Sequence, residues 1–332
     1  MNPAEGAPAG ALKMVVAKLV APSDTSTSTV IDPTGPQIEC GKTAVDTHND
    51  VVYSKPAPGT ELKLDVIVPK TGGTKPLVVY VSGGGFVQSI KEAALDQRTF
   101  IAEAGYVVAS VQYRTTTTGA TYRDAVSDVK AAIRYLRAHA DEYGINPAKV
   151  GVWGESAGGY LAAMTGTTNG VKTFEAGDNL DQRSDVQAVV DKFGPSDLTK
   201  IQADFDPATQ EAYVGPGGST AAFVYGPDSG MAIGADPAAV AGANPATYVD
   251  SASPAFLLFH GDDDRIISPS QTLLLHTALR AKGVDSTRYV LSGAGHGDLA
   301  AILGGDPESA LPWTTAEVVG EIVAFFGKHL AS

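Results

Sequence analysis

The stretch at residues 149–159 constrains the fold most strongly, because it joins an apolar run to the pattern G-x-S-x-G. Ser156 stands at the centre of this pattern, and a helical segment at 160–164 follows it. Small residues around a serine fit a sharp turn from a strand into a helix, where larger side chains would meet the neighbouring backbone. The simpler interpretation is a glycine-rich turn with an incidental serine. The flanking strand and helix instead favour a serine hydroxyl that lies at the N-terminus of the helix. A helix N-terminus stabilises negative charge, such as that of an oxyanion.

Strand-like and helical segments alternate on both sides of Ser156. A half-exposed antiparallel strand is predicted at 62–68, and buried strands at 77–81, 106–111, 186–193, 255–259 and 287–291. Helices are predicted at 92–103, 122–143, 269–282 and 315–328. This order predicts an α/β fold with a mostly parallel central sheet flanked by helices.

Two segments depart from this alternation. Residues 1–45 are rich in Ala, Pro, Ser and Thr, which predicts a flexible or loosely docked N-terminal arm before a catalytic domain at 46–332. Residues 204–247 are dense in Gly, Pro and Ala and follow a predicted strand. A segment of this length inside a domain is usually functional or disordered. We expect a partial lid insertion over the edge that carries Ser156, with a plain surface excursion as the alternative.

Charge and composition narrow the classes of partner. The net charge of −13 argues against nucleic acid or an anionic membrane surface. No apolar run approaches the ~20 residues of a membrane span, and the lone Cys40 excludes an internal disulfide. We expect no metal and no cofactor. Without a basic segment at the start, a cytoplasmic location is the default, and secretion stays open if a natural leader was removed. The oligomeric state is not predicted.

A serine nucleophile needs a histidine as base and a carboxylate to orient that histidine. His296 lies between glycines just after the last predicted strand, whereas the other five histidines precede the serine, lie in a helix, end a strand or stand near the C-terminus. The acid is expected among Asp262, Asp263 and Asp264, which follow the strand at 255–259. Register favours Asp264, and Asp263 is the alternative.

The turn Ser82-Gly83-Gly84-Gly85-Phe86 directly follows the strand at 77–81. Glycines let backbone N–H groups approach a substrate closely. The N–H groups of Gly84, Gly85 and Ala157 are therefore predicted to form an oxyanion hole. No Gly-Lys-Ser/Thr or G-x-G-x-x-G pattern follows the turn, which disfavours a phosphate loop.

Together these motifs resemble the α/β-hydrolase superfamily, and within it the HGGG-type bacterial esterases and lipases, especially feruloyl-esterase-like and acetyl-esterase-like enzymes. The resemblance runs from about residue 51 to the C-terminus and rests on the motifs at 82–85, 113–114, 154–159, 194–198, 260–264 and 295–297. It implies the triad Ser156, Asp264 and His296. One residue departs from the pattern, because the family's first oxyanion-loop residue is usually histidine and is here Ser82.

The resulting prediction is a serine carboxylic-ester hydrolase that acts through an acyl-enzyme on small to medium acyl or aryl esters. A serine peptidase or amidase on the same fold is one alternative. A non-catalytic small-molecule binder is another, and the presence of His296 argues against it.

Overall fold

The structure is a computed structural model that describes residues 17–297 and 307–331. Within these residues one sheet has nine strands in the order β1-β9-β8-β7-β6-β4-β5-β3-β2. The strands are β1 (Thr29–Ile31), β2 (Val45–Ala57), β3 (Thr60–Pro69), β4 (Lys75–Val81), β5 (Val107–Val111), β6 (Ile145–Glu155), β7 (Ala188–Lys192), β8 (Ala255–Gly261) and β9 (Ser286–Leu291). Only β2–β3 and β3–β5 pair antiparallel among them, so the predicted mostly parallel sheet is confirmed.

Helices cover both faces of the sheet. In the described residues they are α1 (Leu95–Glu103), α2 (Tyr122–Ala138), α3 (Ala140–Tyr143), α4 (Ala157–Thr167), α5 (Pro207–Val214), α6 (Ser219–Tyr225), α7 (Pro237–Gly242), α8 (Ser270–Ala281) and α9 (Ala316–Leu330). The helix predicted at 122–143 is interrupted at His139, which separates α2 from α3.

Two apolar cores follow from the alternation of side chains along the strands. In β4, Leu77 and Val79 belong to the core beneath α2, α4 and α8, whereas Val78 and Tyr80 belong to the core beneath α1 and α9. Burial on both faces explains why the central strands read as continuous apolar runs. The parallel strands then deliver their C-terminal loops to one edge, where the candidate site lies.

The N-terminal segment differs from the expected loosely docked arm in its described part, residues 17–45. Strand β1 pairs parallel with β9 and completes one edge of the sheet. The buried guanidinium of Arg288 donates to Ser28 Oγ at 2.6 Å and to the Asp24 carbonyl at 3.1 Å. This segment therefore has the polar composition of a loop but contains an edge strand, and the buried Arg288 stabilises it. The remainder of the predicted arm, residues 1–16, lies outside the described residues.

The 204–247 segment contains short helices rather than one long loop. Asp206 caps α5 by accepting the N–H of Thr209 at 3.1 Å, and Pro207 occupies the first helical position. Asp236 caps α7 in the same way, again before a proline. The dipeptide Asp-Pro indicates a helix N-terminus, but the high glycine and proline content of the segment favoured a loop prediction instead.

Candidate active site

Ser156 occupies the sharp turn between β6 and α4. Its backbone has φ 55° and ψ −122°, an unfavourable conformation for a residue with a side chain. The Ser156 N–H donates to the carbonyl of Lys192 on β7 at 2.9 Å, which ties the turn to the neighbouring strand. A Cβ atom at Gly158 would overlap the carbonyl oxygen of Val81. The glycine therefore lets α4 start directly against β4.

Three buried side chains from separate loops form one hydrogen-bonded chain. The Ser156 hydroxyl donates to Nε2 of His296 at 2.8 Å. Nδ1–H of His296 donates to Oδ2 of Asp264 at 2.7 Å. The other carboxylate oxygen, Oδ1, accepts the N–H groups of Ile266 at 2.9 Å and Ile267 at 3.0 Å. This arrangement holds one imidazole nitrogen free of a proton and directed at the serine.

The surroundings of Asp264 favour its ionised form. Complete burial by itself would raise the pKa of this carboxyl, but the charge of His296 and the hydrogen bonds from His260 and His296 outweigh burial and hold the pKa below its ordinary value. His260 Nε2 lies 3.2 Å from Asp264 Oδ2. In the sequence His260 is distinguished only by its place at a strand end, which did not predict its contact with Asp264. The four-residue separation of His260 and Asp264 around a strand end was the available signal.

The other two aspartates of this loop lie elsewhere. Asp263 is half-exposed and pairs with Arg265 at 2.8 Å. Asp262 accepts the N–H of Gly293 at 2.7 Å and so supports the turn before His296. The structure thus brings Asp264, and not Asp263, to the imidazole.

The predicted oxyanion turn lies beside the serine. Gly85 and Ala157 line a cavity together with Ser156 and His296, and no acceptor in the described chain takes the N–H of Gly85 or Ala157. Gly84 does not line this cavity, and its carbonyl accepts the N–H groups of Val87 and Gln88, both at 3.0 Å. The participation of its own N–H remains a prediction.

Ser82 supports this turn in place of the usual histidine. Its buried hydroxyl accepts the N–H of Ile90 at 2.9 Å, and its carbonyl accepts the hydroxyl of Tyr113 at 2.9 Å. A serine therefore fastens the start of the turn to the chain eight residues later.

The cavity beside Ser156 has an accessible volume of about 50 Å³, and the void reaches about 500 Å³ when the adjoining space open to solvent is counted. Apolar side chains form much of its wall, and the 204–247 segment contributes three residues to it. The lining residues include Phe86, Ile201, Gln202, Tyr213, Ser219, Thr220, Ile266 and Ile267. Tyr213, Ser219 and Thr220 of the segment therefore line the cavity, and its role as a partial lid stays a prediction.

An aromatic cluster joins three elements around the site. The Phe86 ring stacks on Phe223 of α6 with centroids 4.0 Å apart, and Tyr160 of α4 meets both rings edge-on. Phe86 also has a positive φ of 66°, so its position depends on packing rather than on backbone preference. Helix α6 is thereby packed directly on the oxyanion turn.

Comparison with known proteins identifies the family of this chain. The BD-FAE family model matches residues 64–279, which is more than half of the chain. The chain belongs to the BD-FAE family. This region contains Ser82, Gly84, Gly85, Ser156, Ala157 and Asp264, whereas His296 follows it.

Individual curated relatives are only distantly similar to this chain. Esterase LipC of Mycobacterium tuberculosis (strain ATCC 25618 / H37Rv) is 32% identical over 246 residues, covering 70% of this chain and 56% of that protein. The probable carboxylic ester hydrolase LipM of the same organism is 28% identical over 201 residues, covering 60% of this chain and 43% of that protein. The chain spans about half the length of the curated relatives it matches.

Solved structures establish the fold of this BD-FAE member. A truncated carbohydrate esterase from gut microbiota superposes with a TM-score of 0.75 at 24% identity, covering 90% of this chain and 100% of that one. Thermogutta terrifontis esterase 2 phosphonylated by sarin has a TM-score of 0.66 at 23% identity, with 89% and 98% covered. The predicted α/β-hydrolase fold is confirmed. In the described residues no helix is long and apolar enough to cross a membrane.

Proposed function

We propose that this chain is a serine carboxylic-ester hydrolase that works through an acyl-enzyme. The observation that carries the proposal is the continuous hydrogen-bonded chain from Ser156 through His296 to Asp264, which opens on a cavity at the serine. Esterase names among the relatives point in the same direction.

In the acylation step Ser156 Oγ attacks the ester carbonyl carbon while His296 Nε2 takes its proton. The tetrahedral intermediate then collapses, and His296 returns that proton to the departing alcohol. Asp264 keeps the imidazole in the required tautomer and stabilises the imidazolium that forms. In deacylation a water gives a proton to His296 Nε2 and attacks the acyl carbonyl carbon. The second tetrahedral intermediate then collapses, the bond to Ser156 Oγ breaks, and His296 returns the proton to that oxygen, which releases the carboxylic acid and restores the free serine.

The negative charge of the tetrahedral intermediate needs donors that are already in place. Gly85 and Ala157 line the cavity, and their N–H groups have no competing acceptor in the described residues, which supports their role. We include the N–H of Gly84 in the proposal because Gly84 belongs to the same glycine-rich turn as Gly85. Each such donor typically contributes ~2.7–4 kcal/mol to transition-state stabilisation.

Small to medium acyl or aryl esters are the proposed substrates. The apolar wall from Phe86, Ile201, Ile266 and Ile267 suits an acyl or aryl group, while Gln202, Ser219 and Thr220 add polar contacts. Since two structural neighbours are described as a carbohydrate esterase and a bifunctional GH43-CE protein, acetylated sugars belong among the candidate substrates.

Ser156→Ala tests the proposal most directly. We expect it to abolish hydrolysis of p-nitrophenyl acetate, because the attacking oxygen is removed, and to abolish labelling by a fluorophosphonate probe. Far-UV circular dichroism and thermal melting are expected to match the parent protein. A variant that retains full activity would refute the nucleophile, and a parent protein that neither hydrolyses esters nor takes the label would refute the function.

Substrate preference is measured with the parent protein. The panel comprises p-nitrophenyl esters of increasing acyl length, an aryl (feruloyl) ester, an acetylated sugar and matched amides. We expect ester turnover to exceed amide turnover. The reverse order would favour a peptidase or amidase.

A further inference from the structure

A fully buried ammonium lies beneath the candidate active site and takes no part in the proposed proton transfers. Lys192 ends β7, and its side chain is 1% exposed. Its carbonyl accepts the N–H of Ser156 at 2.9 Å, so the two residues are joined through the backbone. A cation in this place calls for an explanation, because burying a charge is costly unless it is paired.

Lys192 is paired with the residue that precedes the nucleophile. Its Nζ donates to Oε1 of Glu155 at 2.6 Å and to Oε1 of Gln97 on α1 at 3.0 Å. Low local polarity strengthens such a charge-assisted contact and makes its loss costly. Lys192 therefore links the Glu155 side chain to α1. This helix lies on the face of the sheet opposite to α4.

Aromatic rings surround the same ammonium. Nζ of Lys192 lies 5.2 Å from the ring centroid of Trp313, 5.8 Å from that of Trp153 and 5.8 Å from that of Phe193. These separations are within the range of cation–π attraction. We call the set Lys192, Trp153, Phe193 and Trp313 the lysine cage.

The lysine cage also touches the loop of the proposed base. The Phe193 ring lies 4.7 Å from the His296 imidazole and 4.6 Å from the Trp313 ring, measured between centroids. Trp313 Nε1–H donates to the Gly295 carbonyl at 2.9 Å. At Gly297 a Cβ atom would lie 3.2 Å from the Phe193 ring. Gly295 and His296 thus contact cage residues, and the absence of a side chain at Gly297 leaves room for the Phe193 ring.

We propose that Lys192 is a positioning residue that holds the Ser156 turn and the His296 loop in register with each other. It acts through Glu155 and the Ser156 N–H on one side, and through Phe193 and Trp313 on the other. The inference rests on the proposed ester hydrolysis, since alignment is read out as turnover. Lys192 touches neither substrate nor the transferred proton.

Lys192→Met removes the charge and keeps much of the side-chain volume. Because small displacements of reacting groups are amplified in the rate, we expect kcat for p-nitrophenyl acetate to fall about 10- to 100-fold. KM is expected to stay within about twofold, because the cavity wall is unchanged. The two tryptophans of the chain, Trp153 and Trp313, both belong to the cage, so the intrinsic emission spectrum is expected to change as well.

Lys130→Met is the matched control. Lys130 is also fully buried and pairs with Glu175 at 3.2 Å. Its Nζ donates to the carbonyl of Thr168, which follows the C-terminus of α4, whereas Ser156 precedes the N-terminus of that helix. We expect a lowered melting temperature with kcat within about twofold of the parent and unchanged tryptophan emission. A kcat loss in Lys192→Met no larger than in this control, or an unaltered emission spectrum, would overturn the proposal.

Glu155→Gln decides the question if Lys192→Met does not fold. It keeps the shape and an acceptor for Lys192 but removes the carboxylate charge. We expect kcat to fall at least about fivefold at unchanged KM, because one contact that positions the Ser156 turn is weakened. A kcat equal to that of the parent would overturn the proposal. A parent protein without esterase activity and without fluorophosphonate labelling would instead contradict the proposed function.

Discussion

Two histidines share the carboxylate of Asp264, and this sharing fixes its protonation state. The folded-state pKa lies below the unfolded value, so the contribution of Asp264 to the free energy of unfolding is present above ~3.9 and is lost as pH falls through the folded pKa. Asp264 is therefore expected to stay ionised in the folded protein at every pH above ~3.9.

Asp264→Asn and Asp263→Asn separate the two candidate acids. Asn at 264 no longer selects the correct imidazole tautomer, so kcat is expected to fall about 10⁴-fold. Within the described residues the Asp263 side chain pairs with exposed Arg265 alone, and its replacement is expected to change kcat less than about twofold. Steady-state kinetics on p-nitrophenyl acetate decide between them, and equal losses in the two variants would reject Asp264 as the sole acid.

At the scale of elements, α6 is the part of the 204–247 segment that bears on the oxyanion turn. Phe223 is fully buried and stacks on Phe86, whose positive φ needs external support. The segment thus contributes to the site in two ways, through the cavity wall and through the packing of the turn. Its position over the site follows from the strand end that it extends.

Phe223→Ala tests this packing. It leaves a cavity against Phe86 and is expected to lower stability by about 3–5 kcal/mol. We also expect a lower kcat, on the order of tenfold, because the turn that bears Gly85 loses its support. Thermal melting and kinetics are measured together.

Phe174→Ala provides the comparison for Phe223→Ala. Phe174 is equally buried but packs on Tyr122 and Tyr248, outside the cavity wall. It is expected to lower the melting temperature with kcat maintained. If both variants affected kcat alike, α6 would have no specific effect on the turn.

At the scale of the whole molecule, the parallel strands bring the loops after β4, β6, β8 and β9 to one edge, and β7 supports that edge from the centre. Asp191 on β7 is fully buried there. One of its oxygens accepts the Gly194 N–H at 2.8 Å, and the other has no partner in the described residues. Burial raises the pKa of Asp191 to about 7, a shift that the Gly194 N–H only partly offsets.

This raised pKa predicts a pH dependence of global stability. A carboxyl whose folded pKa exceeds its unfolded value destabilises the fold progressively as pH rises from about 4 to about 7, after which the effect is constant. Asp191→Asn mimics the protonated form and removes this dependence. We expect the variant to be more stable than the parent at pH 8, by about 2–4 kcal/mol, and equally stable at pH 4. Chemical denaturation from pH 4 to 8 measures the difference, and parallel curves for the two proteins would contradict it.

The sequence by itself determined the fold class and the candidates for chemistry. Continuous apolar runs identified the buried strands, because both faces of a central parallel strand are covered. The small residues around Ser156 and the glycines around His296 identified the turns, because local backbone geometry demands them. Strand burial and turn geometry constrain residues that are close together in the sequence, so both produce residue patterns with a fixed spacing.

Only the tertiary structure decided which distant groups meet. It brought Asp264 rather than Asp263 to His296, added His260 to the same carboxylate, and turned the polar segment before residue 45 into an edge strand held by Arg288. It also gathered Lys192, both tryptophans and Phe193 into one cage. Such contacts join residues as far as 264 positions apart, and their geometry follows from strand order and loop packing, which no local pattern encodes.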